Sequence, residues 1–213
     1  SINDQSIDED SSFFYLLEGF DIDGDDIIYS VSETLNSSSY TNQDTVFINP
    51  DENYNGEINV TVIVSDEEYS SSTEFELSIL PINDPPVLDP ISNQFTYENE
   101  SIEVAFNASD IDGDDLSYTS YIVSGYGSIE ISNESLTILP APFWYGVIEV
   151  NFIATDGEYY VQQDFNVEVY NVDDPPTAYD ITNTGQEDTP ITIELISSDP
   201  DTEPSLLVYS IDI

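Results

Sequence analysis

The 213-residue sequence contains no lysine, arginine, histidine, cysteine or methionine. Each absence removes a class of chemistry. Without cysteine there is no disulfide, thiolate nucleophile or cysteine-ligated zinc; without histidine there is no imidazole base. Without lysine there is no Schiff base and no Lys-to-Asn isopeptide staple. Binding to nucleic acid through phosphate contacts needs Lys or Arg and is excluded. Attraction to an anionic membrane surface is disfavoured on the same ground. No apolar run approaches the roughly 18 residues of a membrane span, so no membrane insertion is expected. No signal peptide is present, and the sequence reads as a mature or excised segment of a longer product.

What remains is acid. Asp and Glu number 45, for a formal net charge of -45. Two carboxylates about 4 Å apart repel by about 1 kcal/mol in water and several-fold more near a protein surface. Yet carboxylates cluster in "FDIDGDDIIYSV" from Phe20 and again in "SDIDGDDLSYTS" from Ser109. No side chain in the sequence can neutralise them, so cations must come from outside.

The two clusters belong to a repeat of about 90 residues. Glu9, Glu98 and Glu187 stand 89 residues apart, as do Asp21, Asp110 and Asp199. "NPDENYNG" around Pro50 is answered by "LPAPFWYG" around Pro140, "VSDEE" by "ATDGE", and "INDPP" by "VDDPP". The expected units are residues 1–86, 87–176 and an incomplete third, 177–213.

Within a unit the apolar period is two rather than 3.6. In "GEINVTVIVSD" the residues Ile58, Val60, Val62 and Val64 alternate with polar neighbours, and "VIEVNFIATD" repeats the pattern. Half-buried strands with turn signals every 8–12 residues predict an all-β fold of tandem seven-stranded, immunoglobulin-like or cadherin-like β-sandwiches in an extended array. No helix is expected. Phe13 and Phe14 adjoin and cannot both face one core, and Trp144, standing where the first unit has Tyr54, is expected to plug the end of its sandwich.

The combination "GFDIDGDDIIYSV", "INPDENYNG", "VTVIVSDEE" and "INDPP" resembles the bacterial cadherin-like tandem repeats of large secreted adhesins and surface proteins. The second unit departs from it with "APFWYG" in place of "DENYNG", and the third puts Pro200 where the acidic loop has its Gly. The resemblance implies calcium held by acidic loops between consecutive domains. The ligand types agree, because Ca²⁺ takes 6–8 oxygens from carboxylates, Asn side chains and backbone carbonyls. The loop is not an EF-hand: its Gly comes too early and no Glu closes the ring.

Strand alternation places the A–B turn, the E–F turn and the exit at one end of each unit, and the B–C and F–G loops at the other. The first junction is therefore expected to use Glu9, Glu52, Asn83 and Asp84 with Asp110, Asp112 and Asp156. The second would use Glu98, Glu100, Asp173, Asp174, Asp199 and Asp201, and would bind more weakly because its E–F turn offers fewer ligands. Asp21, Asp23 and Asp66 form a further acidic end that would meet another repeat or a second copy.

The function expected is that of an extracellular structural or adhesive rod, stiffened by calcium, joined end to end with other repeats or other copies and forming a stalk, adhesin segment or fibre. Strand complementation of the third unit by a neighbouring copy is one route to such a fibre. A glycan-binding module reading exposed Tyr rings, with a glycan or cell-surface target, and a non-catalytic spacer of a secreted hydrolase are the alternatives. No enzyme is expected: the carboxylate pairs that glycoside hydrolysis needs coincide with the repeated motifs, and a catalytic site has no need to recur every 90 residues. Of five Asn-x-Ser/Thr sequons, at Asn36, Asn59, Asn99, Asn107 and Asn133, only Asn36 sits in a polar loop suited to carry a sugar.

Overall fold

A computed structural model describes residues 2–66, 68–132 and 134–210. The chain divides into two compact units, Ser1–Asp84 and Pro85–Ile213. The sequon at Asn133 lies outside the described residues. Among the described residues, no helix is long and apolar enough to cross a membrane.

The first unit contains seven strands: β1 (Gln5–Asp8), β2 (Phe13–Leu16), β3 (Ile28–Val31), β4 (Ser37–Asn42), β5 (Thr45–Pro50), β6 (Gly56–Ser65) and β7 (Ser70–Leu80). They form two sheets, β1-β7-β6-β3 and β2-β5-β4, with β1 parallel to β7 and the remaining pairs antiparallel. Alternation decides the facing. Ile58, Val60 and Val62 of β6 meet Phe75, Leu77 and Ile79 of β7, Val46 and Ile48 of β5, and Phe13 of β2 in one buried cluster. Phe13 is 7% exposed and Phe14 69%. Adjacent strand residues point to opposite faces, so one ring enters the core and the other leaves it.

The second unit repeats the pattern in β8 (Val87–Leu88), β9 (Gln94–Tyr97), β10 (Ile102–Ala105), β11 (Ala108–Ser109), β12 (Ser117–Ser124), β13 (Gly127–Ser132), β14 (Ser135–Pro140), β15 (Gly146–Thr155) and β16 (Tyr160–Tyr170). Its sheets run β9-β16-β15-β12 and β10-β14-β13, with β8 paired to β11. The core is built on Ile148, Val150, Phe152 and Ala154 of β15, with Phe165, Val167 and Val169 of β16 facing them. Residues 177–210 add β17 (Thr177–Ala178) paired to β18 (Ser197–Ser198) and a 3₁₀ turn at Pro204–Leu206. They fall in the same compact unit as the second sandwich.

The β5–β6 and β14–β15 corners show why an aromatic and a Gly recur together. Gly56 (φ 140°) and Gly146 (φ 139°) hold the left-handed backbone region, and a Cβ there would press on the rings of Tyr54 and Trp144. Only Gly allows both the turn and the ring. Tyr54 and Trp144 pack against their respective cores.

Candidate metal centre

The turn after β9 turns a carboxylate inward. Glu98 N–H donates to Tyr170 O at 2.9 Å, which pins the turn against the end of β16. The side chain is 2% exposed, and Oε1 accepts from Val172 N–H at 2.5 Å. Oε2 is enclosed and has no hydrogen-bond partner among the described residues. A buried carboxylate oxygen left unmatched costs free energy on the order of 1–3 kcal/mol or more. In a chain without a basic side chain no ion pair of its own can offset it, and an external cation can.

Four further oxygen-bearing side chains gather there. A terminal amide atom of Asn171 lies 2.6 Å from Glu98 Oε1 and 2.8 Å from Asp201 Oδ1. Asp201 Oδ2 accepts from Asp174 N–H at 2.7 Å, and Asp199 Oδ1 accepts from the N–H groups of Asp201 and Thr202 at 2.9 and 2.7 Å. Asp174 Oδ2, like Glu98 Oε2, is enclosed without a partner among the described residues. Desolvation, followed by the charges of Glu98, Asp201, Asp199 and Asp173, raises the Asp174 pKa above the ordinary carboxylate value. Both amide orientations of Asn171 are chemically meaningful. With nitrogen inward it donates to two carboxylates; with oxygen inward it joins a set of ligands. A groove of about 550 Å³ lined by Phe143, Asp174 and Asp199 opens beside the group and gives an ion a path in.

The first unit builds the same turn on Glu9. Its N–H donates to Leu80 O at 2.9 Å, and Oε1 accepts from Ile82 N–H at 2.5 Å. Asn55 Nδ2 reaches Oε2 at 3.5 Å. Carboxylate oxygens of Glu9 and Asp84 lie within 4.8 Å of each other. Asp10 Oδ1 receives Asn53 N–H at 3.0 Å, as Asn99 Oδ1 receives Phe143 N–H at 3.1 Å, so the A–B and E–F turns are clasped alike in both units.

At the opposite ends the Asp side chains shape loops. Asp21 Oδ1 accepts from the N–H groups of Asp23, Gly24 and Asp25 at 2.7, 3.0 and 3.3 Å. Asp110 Oδ1 does the same for Asp112 and Asp114 at 2.9 and 3.4 Å, while its Oδ2 is enclosed without a partner among the described residues. Carboxylate oxygens of Asp110, Asp112 and Asp114 approach one another within 4.8 Å. Asp66 and Asp156 each cap two N–H groups of their β-turns. For Asp66, the bonds from Tyr69 and Glu68 lower the pKa below the usual range.

The expected ligands thus divide. Glu98, Asp174, Asp199 and Asp201 come together, with Asp173 exposed beside them; Glu9 and Asp84 come together, with Asn83 in the same linker. Glu52 and Glu100 do not join them: both lie exposed on turns, and beside Asn99 it is Glu98, not Glu100, that is buried. The amides Asn55 and Asn171 were not expected, although an Asn two residues before "DDPP" and another beside the corner Gly were visible. The Asn171 amide supplies the polar group that the E–F turn of this unit lacks. Asn36 is exposed in the turn before β4 with φ 56°.

Some of the exposed rings on which a glycan reading rests are engaged with one another. Tyr40 and Phe47, directly opposite on β4 and β5, stack at 5.0 Å and 10°, and Phe14 continues the row across β2 at 6.4 Å. This is a cross-strand aromatic ladder of the kind that stabilises sheets.

Residues 83–168 match the family model of the bacterial Ig domain. The Drosophila N-cadherin EC1-4 structure aligns with a TM-score of 0.51 at 12% identity, over 93% of this chain and 57% of that one. The fold is immunoglobulin-like and cadherin-like. Human mucin-like protocadherin EC1-2 aligns at 15% identity over 80% of this chain and 97% of that one, with a TM-score of 0.46. An endo-fucoidan hydrolase of glycoside hydrolase family 107 aligns at 18% identity and a TM-score of 0.37; the match takes in 80% of this chain and spans only 28% of the hydrolase. No curated protein matches the sequence.

Proposed function

We propose that the chain is part of an extracellular, non-catalytic repeat protein whose acidic turns bind Ca²⁺, and that the ion stiffens the joints between repeats in a surface stalk, adhesin segment or fibre. One observation carries the reading: Glu98, 2% exposed, keeps Oε2 enclosed and unmatched beside Asn171, Asp174, Asp199 and Asp201, in a chain without a cation of its own. These are the hard oxygen donors that Ca²⁺ prefers, and extracellular modules bind it at about 10⁻⁴ to 10⁻³ M. The bacterial Ig match and the cadherin-like fold add support for a repeat in an extracellular array.

Glu98, Asn171 and Asp174 belong to the base of the second sandwich, and Asp199 and Asp201 to the segment after it. Mutual repulsion of these carboxylates pushes that segment away when no counter-charge is present. Bound Ca²⁺ would supply two positive charges and take up the orphaned oxygens. The side chains then hold the Pro175–Pro176 joint from both sides, so that its stiffness follows the calcium outside the cell. We assign residues 177–213 as the first strands of a third sandwich, in which Asp188 keeps the left-handed turn (φ 57°) found at Asp10 and Asn99.

The test is a calcium titration of the full chain, followed by thermal unfolding with Trp144 fluorescence and by small-angle X-ray scattering. Millimolar Ca²⁺ should raise the melting temperature and extend the particle, Mg²⁺ should do less, and Glu98→Gln should remove both effects. No response to calcium in shape or stability would make the acidic turns simple solvated loops and sink the reading.

A further inference from the structure

The outer face of the larger sheet in the second unit carries a cluster of rings. Along β9, Phe95 and Tyr97 face solvent while Thr96 between them is buried; along β16, Glu168 and Tyr170 face solvent while Val167 and Val169 are buried. The parallel register sets Phe95 opposite Glu168 and Tyr97 opposite Tyr170, and the antiparallel register adds Val147 of β15 beside Glu168. Tyr170 is the hub. Its ring centroid lies 6.1 Å from that of Phe95 and 6.0 Å from that of Tyr97, with the planes inclined at 56° and 50°. Its hydroxyl donates to Glu168 Oε2 at 2.9 Å, which fixes the carboxylate beside the rings. All three rings stay open to solvent, Phe95 at 62% exposed, Tyr97 at 45% and Tyr170 at 42%.

The sandwich itself does not need these rings. At the same register of the first unit Ser6 faces Ser78 and Asp8 faces Leu80, and Glu57 stands beside Ser78 where the second unit has Val147. The two sheets keep the same strand order with these smaller or polar side chains in one and rings in the other. Large apolar groups gathered in one exposed patch, in one copy only, mark a contact surface. The chemistry of the patch selects the partner. Ring faces carry the negative end of the aromatic quadrupole, and the polar group among them is a carboxylate, so rings and acid alike favour a cation. The inclined planes form walls around a compact head group rather than the flat floor on which a sugar ring stacks. Charge complementarity acts at longer range as well: 45 acidic residues and no basic one attract positive partners and repel anionic ones. A second copy of this chain has no cationic side chain to offer.

We propose that Phe95, Tyr97, Glu168 and Tyr170 form a binding site for an arginine side chain of a basic partner protein. The guanidinium stacks on the tyrosine rings and pairs with the Glu168 carboxylate, while the aliphatic stem lies along Phe95 and Val147. Arginine fits better than lysine, because its planar head stacks on a ring and forks onto a carboxylate at once. The site uses none of the side chains of the metal centre.

The test titrates the full chain with the capped peptide acetyl-Gly-Arg-Gly-Arg-Gly-amide, in a calcium chelator so that the outcome is independent of the metal reading. The ring proton resonances of Phe95, Tyr97 and Tyr170 should shift saturably. The same peptide with citrulline for arginine, similar in shape but uncharged, should bind about fivefold more weakly or worse. Phe95→Ser combined with Tyr170→Leu installs the residues of the first unit without changing the net charge. It should weaken the arginine peptide by a similar factor and leave the Trp144-reported melting unchanged. Glu168→Gln, which keeps every ring, should weaken binding too and flatten its salt dependence. If the ring variant binds as tightly as the parent chain, the peptide is held by the general acidic field and the proposal fails. If the ring variant melts lower, Glu168→Gln decides, and unchanged affinity there refutes the site. Equal binding of the citrulline peptide, or ring shifts with cellohexaose and none with the arginine peptide, would give the face to a neutral ligand and overturn the assignment.

Discussion

The two sandwiches share strand order, corner chemistry and the buried Glu at their base, yet they fill their interiors differently. The second places Phe106, Phe152 and Tyr118 where the first has Leu17, Val62 and Tyr29. The frame therefore depends on alternation and turns, which both copies keep. Interior volume is adjusted residue by residue, and what one copy fills with aromatic rings the other leaves as a groove walled by Leu17, Tyr29 and Val62. The bases differ in the same way: Asn171, just after β16, supplies in the second what Asn55, just before β6, supplies in the first.

The largest effect tests the interior. Phe152→Ala should cost the second unit about 3–5 kcal/mol, because a buried ring leaves a cavity in a filled core. The matching Val62→Ala removes two methylene equivalents beside an existing groove and should cost about 1.5 kcal/mol. Denaturant unfolding reads each unit separately, with Trp144, the single tryptophan, as the probe of the second. Equal losses would erase the distinction between a filled and an open interior.

Next comes the base. With Ca²⁺ at 100 times its dissociation constant, the second unit should gain about 2.7 kcal/mol by mass action. Glu98→Gln should abolish most of that gain. Glu9→Gln should leave the Trp144-reported transition unchanged, and a change there would show that the two bases do not act separately.

Much of this frame was legible in the sequence. The 89-residue spacing and the period-two runs predict the repeated all-β sandwich and the inward face of β6 and β15; the first unit has the expected seven strands, and the second adds the short β8 and β11. That Phe13 and Phe14 face opposite ways followed from alternation as well, while which of them is buried is shown by the structure. The ring cluster of Phe95, Tyr97 and Tyr170 was not legible, since β9 and β16 lie far apart in the sequence and their parallel register is marked only by the structure. Glu52 and Glu100 stand apart from the buried group for a related reason. Their acidic character fits a ligand, but the left-handed turns at Asn53 and Asn99 decide which neighbour faces inward. Asn171 escaped notice because a single amide beside four carboxylates has no motif of its own.

The smallest effect separates the fold's need for Asp174 from the metal's need for it. Its folded pKa is raised, so its protonated form is favoured in the metal-free fold. The corresponding contribution to stability is fully present below the unfolded value, near 3.8, and is lost as pH rises through the higher folded value. Asp174→Asn mimics the protonated form. In chelator at pH 7 it should therefore raise the melting temperature of the second unit slightly, and the advantage should fade as pH is lowered toward 4. In millimolar Ca²⁺ the sign should reverse, since the variant gives up a charged ligand. Asp66, whose pKa is lowered by its turn, should show the opposite pH trend, with stability lost as acid protonates it. If Asp174→Asn destabilised the chain equally with and without calcium, its carboxylate would be a structural cap like that of Asp66, and the contrast between base and loop carboxylates would disappear.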